Sequence, residues 1–304
     1  MILGLRVVVA TVIAGLLGAC ADEPDSTPPA PMPTVAATPR GTATPAPAPA
    51  TSSPTSSPTA RPEPRADGVY LALGDSVTFG VGAPQPSRQG YPALLLERLR
   101  AAGSSIGEAV VFAVPGETAA GFLDSRIDDV EAAIDELGER VELVTIGLGA
   151  NEILRIRRSP PCVDDRASAE CQRIANDAAD EAAVALDGVV ERVQRALDAA
   201  GSDARVLLLA YYNPDVEPVA ASTIVGGDGV VACVPDDPAP GLNDRIACVA
   251  ERRRTGLVDL YDAFLGREEE LTGIGAGDVH PNPEGYVVIA DAIAEALGLP
   301  PETP

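Results

Sequence analysis

Short apolar runs alternate with longer segments whose apolar residues recur every three or four positions, from about residue 69 onward. The runs "VYLAL" (69–73), "AVVFAV" (109–114), "VELVTIGLG" (141–149), "RVLLLAYY" (205–212) and the start of "LVDLYDAF" (257–264) are short and rich in Val, Ile and Leu. Each is predicted to be a buried strand. The intervening segments carry helical spacing: 91–103, with proline at its second position and a glycine stop, 117–137, about 164–200, 241–254 and 283–298. Strands buried on both faces, each followed by a helix, predict a parallel sheet covered on both sides. Right-handed crossovers make that a three-layer α/β/α sandwich with a five-stranded parallel sheet. It occupies one domain, residues 66–304, a length ordinary for a single α/β unit.

The first 65 residues follow neither pattern. Arg6 precedes an apolar run from Val7 to Ala19, which ends at Cys20. The run is shorter than the roughly 20 residues of a membrane-spanning helix, so residues 1–19 read as the apolar core of an export signal. Leu17-Gly18-Ala19-Cys20 resembles the bacterial lipobox, which implies cleavage before Cys20 and a lipid on its thiol; the alternative is a plain signal peptide. Residues 21–65 are dominated by Pro, Thr, Ala and Ser and cannot bury enough apolar surface to offset chain entropy. Residues 20–65 are therefore expected to be an extended tether that starts at the anchor cysteine and holds the domain away from a membrane.

Charge and cysteine content narrow the picture. The net charge is −23 and every basic residue is arginine, which disfavours a nucleic-acid partner. Five cysteines suit an exported protein. With Cys20 set aside, four remain and allow three pairings; the simplest joins local neighbours, Cys162–Cys171 and Cys233–Cys248. Each loop so closed is worth roughly 3 kcal/mol. A zinc site is disfavoured because there is no CxxC spacing and no histidine nearby, so neither metal nor cofactor is expected. The chain is expected to be a monomer.

In an open parallel sheet the chemistry collects at the carboxyl ends of the strands. "GDSVTFG" (74–80) follows the first strand, "PGET" (115–118) the second and "GLGANE" (147–152) the third, while "GDVHPN" (277–282) precedes the last helix. Four turns thus bring one edge a hydroxyl, exposed backbone N–H groups, a carboxamide and the single histidine of the chain. Acyl transfer needs a nucleophile, a base and oxyanion donors. Ser76 can attack, His280 can take its proton, and Ser76, Gly116 and Asn151 can present N–H groups. The bland alternatives are a helix cap at Ser76, turn residues at Gly116 and Asn151, and a solvated loop histidine at His280. "GLGANE" lacks the remaining marks of a dinucleotide fingerprint, and the G-x-S-x-G elbow is absent.

Taken in order, "GDS", the Gly116 turn, "GANE" and "DVHPN" resemble the four sequence blocks of the SGNH, or GDSL, hydrolases, over a span from about Val69 to Gly298. The resemblance implies the flavodoxin-like fold of that family and a Ser–His–Asp ester hydrolase whose oxyanion hole is formed by Ser76, Gly116 and Asn151. Two positions depart from the family pattern. Glu152 stands where the third block usually has aspartate, with small consequences expected. The fourth block usually places its acid three residues before the histidine, where this chain has Gly277; Asp278 lies only two before. His280 then pairs with Asp278 if the turn is tight enough, or with a main-chain carbonyl.

The substrate is expected to be a small-molecule or lipid ester, met outside the cytoplasm by a lipid-anchored enzyme. With no tryptophan and 3% aromatic residues, the chain has few stacking platforms for long polysaccharides. Two alternatives stay open: a silent surface lipoprotein that binds a cell-envelope ligand in the same cleft, and a glycan O-deacetylase.

Overall fold

The computed structural model describes residues 67–214, 230–235 and 240–300. The signal segment, Cys20, the tether and most of the long connection after the fourth strand lie outside the described residues. Five strands form a parallel sheet: β1 (Gly68–Gly74), β2 (Ile106–Ala113), β3 (Val141–Gly147), β4 (Arg205–Ala210) and β5 (Gly256–Asp259), in the order β2-β1-β3-β4-β5. Side chains alternate across it, as the strand period of two demands. Val69, Leu71 and Leu73 point into one layer, and Tyr70 and Ala72 into the other.

The first layer holds α4 (Ala119–Ser125), α5 (Ile127–Leu137), α8 (Ala169–Ala200) and α9 (Leu242–Arg253). The second holds α3 (Tyr91–Ala101), α10 (Leu260–Phe264) and α12 (Pro283–Ala296). Short helices α1 (Ser76–Phe79), α2 (Pro86–Gln89), α6 (Ala150–Ile156), α7 (Pro160–Asp164) and α11 (Glu268–Leu271) complete the described elements. The sandwich expected from the alternating pattern is therefore the observed fold. Among the described residues no helix is long and apolar enough to cross a membrane, and no cluster of three or more metal-ligating side chains occurs.

Several boundaries differ from the sequence reading, each for a local reason. β2 starts three residues early because it is an edge strand, half exposed along its length, where Glu108 is tolerated. The single helix expected over 117–137 breaks at Arg126, which ends α4 and begins α5. That bend lets Phe122 and the Ile127-Val130-Ile134 stripe both enter the core. The long helix starts only at Ala169, where the Ser168 hydroxyl accepts from the Cys171 N–H. β5 stops at Asp259, whose carboxylate caps α10 by accepting from the Asp262 N–H at 3.1 Å. β4 stops at Ala210. Beyond it the buried Asn243 side chain pairs both backbone groups of Tyr211, at 2.8 and 2.7 Å, in place of a strand.

Two cysteine pairs lie at disulfide geometry, Cys162–Cys171 and Cys233–Cys248, with Cα separations of 4.9 and 4.5 Å. The first ties α7 to the start of α8. The second ties the residues before α9 to its middle.

Candidate active site

The chain order reverses between β1 and β3, and the crevice at their carboxyl ends holds the site. β1 ends at Gly74, where any Cβ would collide with the Thr78 hydroxyl and the Gly147 carbonyl. Glycine there lets the turn fold tightly over the strand end. Asp75 caps α1, its Oδ1 accepting from the Val77 N–H at 2.9 Å, and Ser76 follows as the first helical residue.

His280 arrives from the far side on a loop closed by its own backbone. The Gly273 N–H donates to the His280 carbonyl, and the Asp278 N–H donates to the Gly273 carbonyl, both at 3.0 Å. Downstream, the Asn282 side chain accepts from the Gly285 N–H to cap α12, and Pro283 opens that helix. The Tyr212 hydroxyl, on a ring stacked against Phe264, donates to the Val279 carbonyl at 2.7 Å and so anchors the residue before His280.

These supports bring the two ends together. His280 Nε2 lies 2.9 Å from Ser76 Oγ. On the other side of the ring, Nδ1 lies 2.5 Å from Asp278 Oδ1. The same Oδ1 also accepts from the His280 backbone N–H at 3.1 Å. This local bond is how a carboxylate only two residues away reaches the ring: the carboxylate folds back over the peptide that carries it.

The remaining predicted residues sit around this line. Val114, Pro115, Gly116 and Glu117 form a tight turn closed by the Glu117 N–H on the Val114 carbonyl at 3.0 Å, with Gly116 at φ 81°. A Pro-Gly turn of type II requires that positive φ, and glycine provides it. Among the described residues no hydrogen bond uses the N–H of Gly116 or of Ser76. Asn151 is the second residue of α6; its amide donates to the Glu117 carbonyl at 2.8 Å and lies a long 3.4 Å from Asp75 Oδ2. Ser76, Asn151 and His280 line one small cleft whose walls are mostly apolar, with Val77, Leu154 and Val279 among them. Gly116 is not among the residues lining that cleft; its turn adjoins it through the Asn151 bond to the Glu117 carbonyl.

The sequence profile of the GDSL-like lipase/acylhydrolase family matches residues 72–288, well over half of the chain. The chain belongs to this family. It is accordingly a carboxylic ester hydrolase.

Solved structures share the hydrolase's fold. An acetylxylan esterase from Geobacillus stearothermophilus is 17% identical, with 78% of this chain and 97% of that one covered at a TM-score of 0.52. The enzyme LAE5 from the metagenome of Lake Arreo is 23% identical over 77% and 97%, at 0.51. The lipase Lip_vut3 from a goat rumen metagenome is 21% identical over 75% and 97%, at 0.50. No curated protein matches the chain.

Electrostatics divides the groups of the hydrolase's site. Burial raises the Asp75 carboxyl to about 6, against the lowering effect of the Val77 N–H and the Tyr211 hydroxyl, which donates to Oδ2 at 3.0 Å. For Asp278, burial also pushes upward, but the backbone and ring N–H groups of His280 outweigh it and hold the carboxyl below its ordinary range. Burial, and then the charge of Asp75, raises the Tyr211 hydroxyl well above the ordinary tyrosine value, so it remains a donor.

Sequence reasoning passed over three members of this constellation. Asp75 was visible as the middle residue of "GDS" and Tyr211 as a tyrosine at a strand end, but neither pattern signals a buried carboxylate–phenol contact. Glu152 was noted only as a departure. Its carboxylate accepts from the Ala119 N–H at 2.7 Å, and burial raises its pKa.

Proposed function

We propose that the protein is an exported, membrane-tethered serine esterase that acts through an acyl-enzyme on Ser76. The observation that carries this reading is the continuous line from Asp278 through His280 to Ser76, with contacts of 2.5 and 2.9 Å. Ser76 Oγ attacks the ester carbonyl carbon while His280 Nε2 takes its proton. Asp278 accepts the Nδ1 hydrogen, which leaves Nε2 free as acceptor, and stabilises the imidazolium as it forms. The N–H groups of Ser76 and Gly116 and the second amide hydrogen of Asn151 receive the tetrahedral oxyanion. The carbon–oxygen bond to the alcohol then breaks, and the alcohol leaves with the proton from His280. Water repeats the cycle in reverse order and releases the acid. A small apolar part of the substrate rests against Val77, Leu154 and Val279.

The test is a panel of p-nitrophenyl esters from acetyl to palmitoyl, with wild type and Ser76→Ala. Wild type should turn over at least one ester, and Ser76→Ala should lose kcat on the scale of ~10⁶, as serine triads do without their nucleophile. No turnover of any ester, together with no fluorophosphonate labelling, would overturn the reading in favour of a ligand-binding surface lipoprotein.

Location rests on the sequence of the first 65 residues. Cys20 carries the lipid after removal of residues 1–19, residues 20–65 are the tether, and the domain from residue 66 faces the extracytoplasmic side. Intact-mass analysis of the exported protein should find a diacylglycerol-sized addition at an N-terminal Cys20. An unmodified terminus would refute the anchor.

A further inference from the structure

The turn that carries Gly116 has little of its own to hold it. Its single internal bond is Glu117 N–H to Val114, and no heavy atom lies within 4 Å of the position a Gly116 Cβ would take. The Val114 N–H donates to the Gly74 carbonyl at 3.2 Å, and the other holds come from α6. Three backbone groups, at positions 116 and 117 of the turn and at 119 just after it, are bonded by side chains of that one helix. Arg155 Nη2 donates to the Gly116 carbonyl at 2.9 Å. Asn151 Nδ2 donates to the Glu117 carbonyl at 2.8 Å. Glu152 Oε1 accepts from the Ala119 N–H at 2.7 Å. The other oxygen of Glu152 is buried without a partner. The residues i, i+1 and i+4 of a helix that also presents Asn151 to the cleft thus fix the turn relative to Ser76.

We propose that Glu152 and Arg155 are positioning residues that lock the Gly116 turn against α6, so that the Gly116 N–H faces the oxyanion formed at Ser76. This rests on the proposed roles of Ser76 and Gly116. The departure from the family's aspartate at residue 152 then has a use, because the glutamate reaches across to the first N–H of α4. Neither residue touches the substrate. Both act by keeping a donor in place, and an ångström of misplacement is enough to cost about 10²-fold in rate.

The experiment measures kcat, KM and melting temperature for Glu152→Ala, Arg155→Ala and Glu152→Gln on the best p-nitrophenyl ester, beside wild type and Ser76→Ala. Arg155 is exposed, so its variant folds even if the Glu152→Ala variant does not. Each alanine variant should lose more than about fivefold in kcat, less than the about 10²–10³-fold that removing an oxyanion donor outright costs, while KM moves less than about threefold. Glu152→Gln keeps an acceptor for the Ala119 N–H and should recover most of the loss. The proposal is overturned if Arg155→Ala keeps kcat within fivefold of wild type, if the loss falls on KM alone, or if Glu152→Gln is folded yet as slow as Glu152→Ala. Ser76→Ala separates the two levels. If it retains turnover, the reading of the site fails; if it is dead while the α6 variants are not impaired, only the lock fails.

Discussion

Two carboxylates flank the serine and histidine, and their surroundings push them in opposite directions. Asp75 is 1% exposed, adjoins the serine in sequence, and is raised to about 6 by burial. The Asp278 side chain is 52% exposed, lies two residues from the histidine, and is held below the ordinary carboxyl range by the N–H groups of His280. The exposed one remains ionised under the imidazole, which suits a residue proposed to orient the ring and balance its charge. The buried one accepts from Val77, Tyr211 and, at longer range, Asn151, which suits a brace beneath the nucleophile turn. Desolvation and hydrogen bonding, not nearness to the reacting atoms in the sequence, separate the two roles.

The largest way to break this contrast is at Asp278. Asp278→Asn should lower kcat by about 10⁴ with the fold intact, because the wrong tautomer leaves no acceptor facing Ser76. A folded variant within about tenfold of wild type would transfer the role to a main-chain carbonyl and leave a Ser–His dyad.

At Asp75 the expected effect is on stability. Because its pKa is higher folded than unfolded, protonated Asp75 favours the fold fully below about pH 3.8, and that contribution is lost as pH rises through about 6. Above that pH the wild type carries a buried charge that asparagine would not. Asp75→Asn should therefore gain stability over wild type by about 3 kcal/mol at pH 7.5, and the gain should vanish near pH 4. Urea unfolding at the two pH values checks the sign; a loss at pH 7.5 would mean that the hydrogen bonds outweigh burial.

The smallest effect is at Tyr211. Tyr211→Phe removes the donor to Asp75 Oδ2 and should cost about 2 kcal/mol at pH 7.5, where the carboxylate is charged, and less at pH 4. A pH-independent change in the same unfolding series would show that Tyr211 serves packing alone.

The sheet and its covering helices were legible because hydrophobic period reports directly on which faces are buried. The disulfide pairs were legible because each closes a short loop. Less legible were the stops. The run after Leu257 keeps its apolar residues while the backbone turns from strand to helix, because Asp259 caps α10. Similarly, Tyr211 continues an apolar run but leaves the sheet, because Asn243, more than thirty residues on, takes its backbone bonds.

At the site the division is sharper. The four blocks name Ser76, Gly116, Asn151 and His280 from the sequence because the first three lie in polar turns at predictable strand ends and the fourth in the turn before the last helix. The spacing of Asp278 and His280 did not reveal whether they meet; that depended on a loop closing Gly273 onto His280 and on the carboxylate folding back to its neighbour's N–H. Nor did any pattern place Tyr211 beneath Asp75 or Glu152 and Arg155 around the Gly116 turn. Local sequence determines period, caps and turns, since these depend on residues a few positions apart. Contacts between separate strand ends depend on crossovers and strand order, and those exist only once the sheet has assembled.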